Sequence, residues 1–244
     1  MSGKVVYNTV TEGLVLYLDA ANTKSYPGSG LIWDDVSKFG NKGTFINGPT
    51  FSNDSGGSIT LDGTNDYFLI NNSSLWKNNT NLSLSIWCNF SGLTNSIYSL
   101  INKGDQGSNN YFWLSLYNPL VYPNPNLGLM WEFGDGLGNQ WQFRYLWTPT
   151  IDNWYHITAT FEPGNPKIYI NGSLVPATTY YVSPTPPAII GATQDGGTFN
   201  FCVGSYRDIA HYFQGKINQV MFYKKTLSAS EVLQNYNATK VRYL

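Results

Sequence analysis

Charge is what this sequence has least of. Asp, Glu, Lys and Arg make up 12% of it, about half of the ~25% usual in globular domains. The net charge is −1, and no basic run exceeds the pair Lys224-Lys225. A nucleic-acid partner would need a basic stripe, so none is expected. Glutamate occurs only at Glu12, Glu132, Glu162 and Glu231, and histidine only at His156 and His211. Cys88 and Cys202 are the sole cysteines, too few for a zinc cluster without histidines beside them. Each sits in an apolar, strand-like run ("SIWCNF", "NFCVGS"), which reads as a buried free thiol. A disulfide between them stays open, because spacing gives no distance. No apolar stretch reaches the ~20 residues of a membrane helix, so no membrane insertion is expected. The opening "MSGKVVYNTV" lacks the apolar core of a secretory signal. The chain is then either cytosolic or made in a host cytoplasm and carried out by assembly into a virus particle.

Aromatic residues are abundant instead, at 16%, with 18 Tyr and 8 Trp. Many aromatics at low charge suit a packed β structure with polar loops and argue against disorder. The length of 244 residues allows one large β domain or two small ones. No repeat and no internal boundary appears, so a single domain is expected over 13–244, preceded by an extended arm over 1–12.

The runs alternate with period two, as strands do. "LVLYLDA" (14–20) is a short strand. "SITLDGTNDYFLI" (58–70) reads as a hairpin around an Asp/Gly/Asn turn. "LSLSIWCNF" (82–90) sets Leu82, Leu84 and Ile86 against Ser83 and Ser85, a half-buried pattern. In "YFWLSLY" (111–117), Phe112, Leu114 and Leu116 share one face, and Tyr111, Trp113 and Tyr117 the other. "LGLMWEF" (127–133) and "WQFRYLW" (141–147) flank a Gly-rich turn. Both apolar sets must lie on one side of that hairpin. This places Phe133 opposite Trp141, Glu132 opposite Gln142, and Arg144 opposite Met130 and diagonal to Glu132. "WYHITATF" (154–161) and "KIYING" (167–172) form the next pair around a Pro-Gly turn. The stretch 176–199 reads as loop, stiffened by "SPTPP".

One helix closes this all-β pattern. In "TLSASEVLQNY", Ser228 and Glu231 have capping-box spacing, and Leu227 with Val232 fits a hydrophobic staple. Val232, Leu233 and Tyr236 offer an apolar stripe. A helix of about two turns is marginal alone, so it must dock on an edge or end of the sheets.

Taken together, "LDGTNDY" (61–67), "LSLSIWC" (82–88), "WYHITATF…KIYING" (154–172) and "FQGKINQVMFYKKTLSASEVLQNYN" (213–237) resemble the laminin-G-like and concanavalin A-like jelly rolls, and more distantly pentraxins. The opening over 13–51 resembles the start of a variant found in tailed-phage structural proteins. The resemblance implies an all-β, two-sheet antiparallel jelly-roll sandwich with one short C-terminal helix. It also implies recognition of glycans or proteins, often with calcium. "ATQDGG" (192–197) is similar to the pentraxin calcium stretch at Gln194 and Asp195 but has Thr193 where a Glu would stand. The pentraxin disulfide has no second half here, since Thr158 occupies that position. The related glucanases carry an E-x-D-x-E strand, which this sequence lacks; Glu132 with Asp135 is the only carboxylate pair to weigh for catalysis, and pairing of Glu132 with Arg144 is the plainer reading.

Two kinds of binding site follow. Tyr111, Trp113 and Tyr117, beside Glu132, Gln142 and Arg144, would form a shallow glycan patch on an exposed sheet face. The alternative is that loops 118–126 and 176–199 cover the rings. Asp62, Asn65, Asp66 and Asp195 could supply oxygen ligands to calcium; the alternative is that they serve their own turns. The expected protein is a non-enzymatic virion surface module binding host carbohydrate, in contact with other virion proteins. A purely structural virion component docked through its arm, and a glycan-active hydrolase, are the other readings. Pairing of edge strands into a homo-oligomer stays open.

Overall fold

A computed structural model of the protein describes residues 8–70, 74–76, 79–108, 110–122, 124, 127–183 and 200–243. Asp195 and the "ATQDGG" stretch lie outside them, as does the greater part of the arm. Two antiparallel sheets stack face to face. The first runs Ser173–Leu174, Lys167–Ile170, Trp154–Phe161, Leu82–Phe90, Gln214–Tyr223, Ser58–Asp62, Thr50–Ser52, with Leu14–Asp19 also paired to Gln214–Tyr223. The second runs Thr178–Ser183, Gln140–Tyr145, Leu129–Asp135, Asn110–Tyr117, Ile97–Asp105, Phe201–Val203, Tyr67–Ile70, Lys42–Ile46, Ile32–Asp34. This is the expected all-β sandwich.

Side-chain alternation puts one set from each strand into a shared core. Leu82, Leu84, Ile86, Ile157, Ala159, Val220 and Phe222 meet Phe112, Leu114, Leu116, Leu129, Trp131 and Phe133 there. The hairpin register is the one the apolar faces require: Phe133 stands opposite Trp141, Glu132 opposite Gln142, Met130 opposite Arg144. Cys88 and Cys202 are buried free thiols.

Three expectations fail for identifiable reasons. "SITLDGTNDYFLI" is not a hairpin, because Ser58–Asp62 and Tyr67–Ile70 belong to different sheets. Its Asp-Gly-Asn turn carries the chain from one sheet to the other, so that Ile59 and Leu61 face Phe68 and Ile70 across the core. Part of the segment read as loop, Thr178–Ser183, is the edge strand of the second sheet. Leu82–Phe90 is buried along its whole length, not on one face.

The last of these is the work of the C-terminal helix, Ala229–Thr239, which crosses the outer face of the first sheet rather than an edge or end. The capping box forms: Glu231 N donates to Ser228 Oγ, and Ser228 N to Glu231 Oε2 at 2.9 Å. Leu227 and Val232 are both buried in one cluster, as a staple requires. The buried face differs from the expected stripe. Leu233 is exposed, while Asn235 and Thr239 are buried. The sheet face beneath carries hydroxyl and indole N–H groups beside its apolar patch, so polar helix residues suit part of it. Trp87 Nε1 donates to Thr239 Oγ1 at 2.9 Å, and Asn235 Nδ2 to the Tyr223 hydroxyl at 3.0 Å. Asn235 Oδ1 also accepts from Val10 N at 2.8 Å, which ties residues 8–12 of the expected arm to the helix. Among the described residues no helix is long and apolar enough to cross a membrane.

Candidate functional site

On the second sheet, the face turned away from the core carries Trp113, Glu132, Gln142 and Tyr181 in one row, on four successive strands. Period-two alternation dictates this, since their neighbours Phe112, Phe133 and Trp141 fill the core. The expected exposure of the aromatic members is not found. Tyr111 and Trp113 are at most 2% exposed and Tyr117 8%. Two loops cover them and create a separate, small apolar cluster with Ile97, Leu127 and Met130. From one side, Tyr206 lies 4.6 Å and His211 5.6 Å from the Trp113 ring, whose Nε1 donates to Ser99 Oγ at 2.9 Å. From the other, Tyr122 packs edge-on to Tyr117 at 5.0 Å. The covering loops are therefore 118–122 and 206–211. Leu127 also changes role: its strand starts only at Leu129, and Leu127 joins this outer cluster instead of the core.

Between these covers and the edge strand a cavity of about 500 Å³ remains open, lined by Gln106, Tyr117, Tyr122, Asn124, Leu127, Met130, Gln142 and Tyr180. The sequence reading places only Tyr117 and Gln142 of these. Tyr180 was hidden in the supposed loop, although "TTYYV" has the β-branched and aromatic content of a strand. Its position depends on a bulge. Tyr181 pairs with Gln142 and Thr179 with Phe143, leaving Tyr180 as the extra residue. A bulge re-aims the side chain it carries. Tyr180 thus joins the cavity wall, with its hydroxyl accepting from Asn124 Nδ2 at 3.3 Å.

Beneath the cavity lies Glu132, fully buried. Gln106 Nε2 donates to its Oε2 at 3.2 Å and Ser115 Oγ to its Oε1 at 3.4 Å. Burial raises its pKa to about 8, and hydrogen bonds from Tyr117, Ser115 and Gln142 hold it from going higher. The ion pair with Arg144 does not form. Arg144 lies over the Tyr180 ring instead, 4.8 Å from its centroid. Glu132 and Asp135 do not make a catalytic pair either. Asp135 is a turn residue, accepting from Leu137 N at 2.8 Å and from Asn139 N and Nδ2 at 3.1 and 2.6 Å.

The candidate calcium residues also serve a turn. Asp62 Oδ1 accepts from the N–H groups of Thr64, Asn65 and Asp66 at 2.8, 3.3 and 3.4 Å, and Asp66 Oδ2 accepts from Asp62 N. Burial works against the charge on Asp62, but these N–H donors hold its pKa below the ordinary value; Asp66 is pushed up by burial and by the Asp62 charge beside it. Three N–H donors thus occupy Asp62 Oδ1, as an Asp serving its own turn requires. No group of three or more His, Cys, Asp or Glu able to hold a metal exists among the described residues. Asp62 and Asp66 are engaged in their own turn.

His156 is structural. It is fully buried on the outer face of the first sheet, with Nε2 2.7 Å from Ser85 Oγ and its ring between Trp87 and Tyr236. Burial lowers its pKa to about 3.

The family profile of laminin G type, described as the concanavalin A-like lectin/glucanases superfamily, matches residues 62–233. Domain 4 of AbnA, a GH43 extracellular arabinanase from Geobacillus stearothermophilus, in complex with arabinotriose, superposes with a TM-score of 0.64 at 18% identity, covering 93% of this chain and 100% of that one. The receptor-binding domain of botulinum neurotoxin C/D mosaic serotype gives 0.65 at 16% identity, over 93% of this chain and 52% of that one. Trypanosoma rangeli sialidase in complex with the inhibitor DANA gives 0.61 at 14%, over 98% of this chain and 36% of that one. At these identities the likeness is one of fold. No curated protein matches the sequence.

Proposed function

The chain belongs to the concanavalin A-like lectin/glucanases superfamily, and from that premise we propose that it is a non-enzymatic carbohydrate-recognition module whose sugar sits in the cavity between Tyr117, Gln142 and Tyr180. The observation that carries this reading is the lining itself. Three tyrosines and three amide side chains, Gln106, Asn124 and Gln142, converge on one open cavity of about 500 Å³. Ligand sites of ~300–1,000 Å³ combine apolar walls with a few oriented polar groups in this way. The tyrosine faces suit the C–H faces of a pyranose or furanose ring, and the amides suit its hydroxyls.

Binding without hydrolysis is supported by the carboxylates. Glycosidases flank the scissile bond with two of them, ~5–9.5 Å apart. Here Glu132 lies below the floor, Asp135 is held by its turn, and Glu231 by the capping box. Glu162 accepts from Asn165 Nδ2 in the Pro-Gly turn, and Glu12 pairs with Lys225. Placement on a virion surface, among other virion proteins, is supported by the likeness of residues 13–51 to the opening of tailed-phage structural proteins. An arm docked on a neighbour is less well supported for residues 8–12, which are anchored to the chain's own helix.

The test is calorimetric titration with sugars selected on a glycan array, arabinotriose included. Tyr180→Ala and Gln142→Ala should each weaken binding by about tenfold or more, as loss of a stacking face or an orienting amide does, with little change in Tm. Affinity unaltered by both substitutions would place the sugar elsewhere and defeat the reading.

A further inference from the structure

The lining of the cavity says more than that a sugar fits. None of its described lining residues is charged. The nearest cation on the same sheet face, Arg144, is laid over the Tyr180 ring. Directly below the floor is a carboxyl group, and it orders the groups above it: Gln106 turns its Nε2 down to Glu132 Oε2 at 3.2 Å, which leaves the amide oxygen of Gln106 facing away. Ser115 Oγ also donates to Glu132, at 3.4 Å, and Tyr117 and Gln142 flank the same carboxyl. With this donor turned down, Gln106 leaves an acceptor to whatever lies on the floor. Hydroxyl groups can donate to such a floor; a carboxylate, which only accepts, cannot, and it would be desolvated with no cation among the described lining residues to offset the cost. Resting on the cavity being the sugar site, we propose that it selects uncharged saccharides over acidic ones, and that the buried Glu132 sets this selectivity from beneath.

The selectivity carries a pH signature. Glu132 is uncharged below pH about 8 and ionises above it. An acidic sugar and an ionised Glu132 would be two like charges in one enclosure, so discrimination against the acidic sugar should widen on the alkaline side. The other groups around Glu132 do not supply this change. Tyr111 and Tyr117 on the adjoining strand are pushed well above their ordinary values by burial and by Glu132 itself. Tyr206, on the covering loop, is also raised by burial. His211, stacked on Trp113, is lowered by burial, so it is neutral across the range. Asp105, the last residue of its strand and next to Gln106, forms a 2.8 Å ion pair with Arg207 of the covering loop. Tyr122 and Tyr180 complete the walls, and Arg144 adjoins Tyr180.

The experiment compares a neutral trisaccharide, arabinotriose or galactotriose, with trigalacturonate and sialyllactose on the intact chain. At neutral pH the acidic sugars should bind about tenfold or more weaker. The ratio should grow between about pH 7 and about pH 9 as Glu132 ionises, and stay constant in Glu132→Gln. Asn124→Lys, at the cavity wall, should bring the acidic sugars in; this variant keeps the test alive should Glu132→Gln not fold. Equal or tighter binding of the acidic sugars by the unaltered chain, or their loss in Arg144→Ala, would make Arg144 an anion receptor and overturn the proposal. A ratio that is flat with pH in the unaltered chain would remove Glu132 from it. If no sugar of either kind binds, or if binding ignores Tyr180 and Gln142, the cavity assignment itself falls instead.

Discussion

Trp113 shows how one side chain can be read correctly for face and wrongly for exposure. Alternation puts it on the side away from the core, and there it is, but at 2% exposure under Tyr206 and His211. Its indole fills a secondary core and donates to Ser99 Oγ. Trp113→Ala should therefore act on stability, lowering the free energy of urea unfolding by about 3–5 kcal/mol. Sugar affinity should be retained wherever the variant is folded, since Trp113 does not line the cavity. Tyr180, at 43% exposure, is the reverse case: the substitution that matters for binding and hardly for folding. Nothing local in the sequence distinguishes the two residues. What separates them is a loop brought over one from about a hundred positions away, and a bulge that turns the other outward.

At the scale of elements, strands and helix termini were legible because their signals are local. The register of the Leu129–Asp135 and Gln140–Tyr145 hairpin followed from matching two apolar faces. The capping box and the staple followed from spacing alone. The connection 62–67 was not legible, because an Asp-Gly-Asn turn has the same composition whether its strands pair or part to opposite sheets. The helix's buried face was missed for a related reason: helical periodicity finds apolar stripes, and this helix docks in part through the polar residues Asn235 and Thr239. Asn235 satisfies both Val10 N and the Tyr223 hydroxyl. Asn235→Ala should leave Val10 N buried and unpaired and take one donor from the Tyr223 hydroxyl, which keeps its bond to Val10 O, costing about 2–3 kcal/mol by thermal or urea unfolding. Ser228→Ala, which removes only the cap, should cost about 1 kcal/mol. Equal effects would mean that the helix is held by its end rather than by its face.

For the molecule as a whole, two fully buried groups on opposite sheets shape the dependence of stability on pH. Glu132 has its pKa raised by burial to about 8 from 4.5. Its contribution is complete below the lower value and is lost as pH rises through the higher one. His156 has its pKa lowered by burial to about 3 from 6.5. Its contribution is complete above 6.5 and is lost as pH falls through 3. Each slope is at most about 1.4 kcal/mol per pH unit, and the two oppose each other between pH 4.5 and 6.5. Tm should accordingly pass through a plateau in that window, whereas that of Glu132→Gln should rise through it and level off above about pH 6.5; a variant that still loses stability between pH 6.5 and 8 would show the fall to come from elsewhere. The site was less legible than the fold because it exists only at this scale, assembled from a turn after one strand, a loop after another and an edge strand near residue 180. The same arrangement fixes how the molecule faces outward. Residues 8–10 and the tail at Arg242 and Tyr243 are fastened to the first sheet, through Asn235, Asp19 and Trp87, while the cavity opens on the second. Anything tethered through either of these segments would hold the protein by its back, with the cavity turned toward the surroundings.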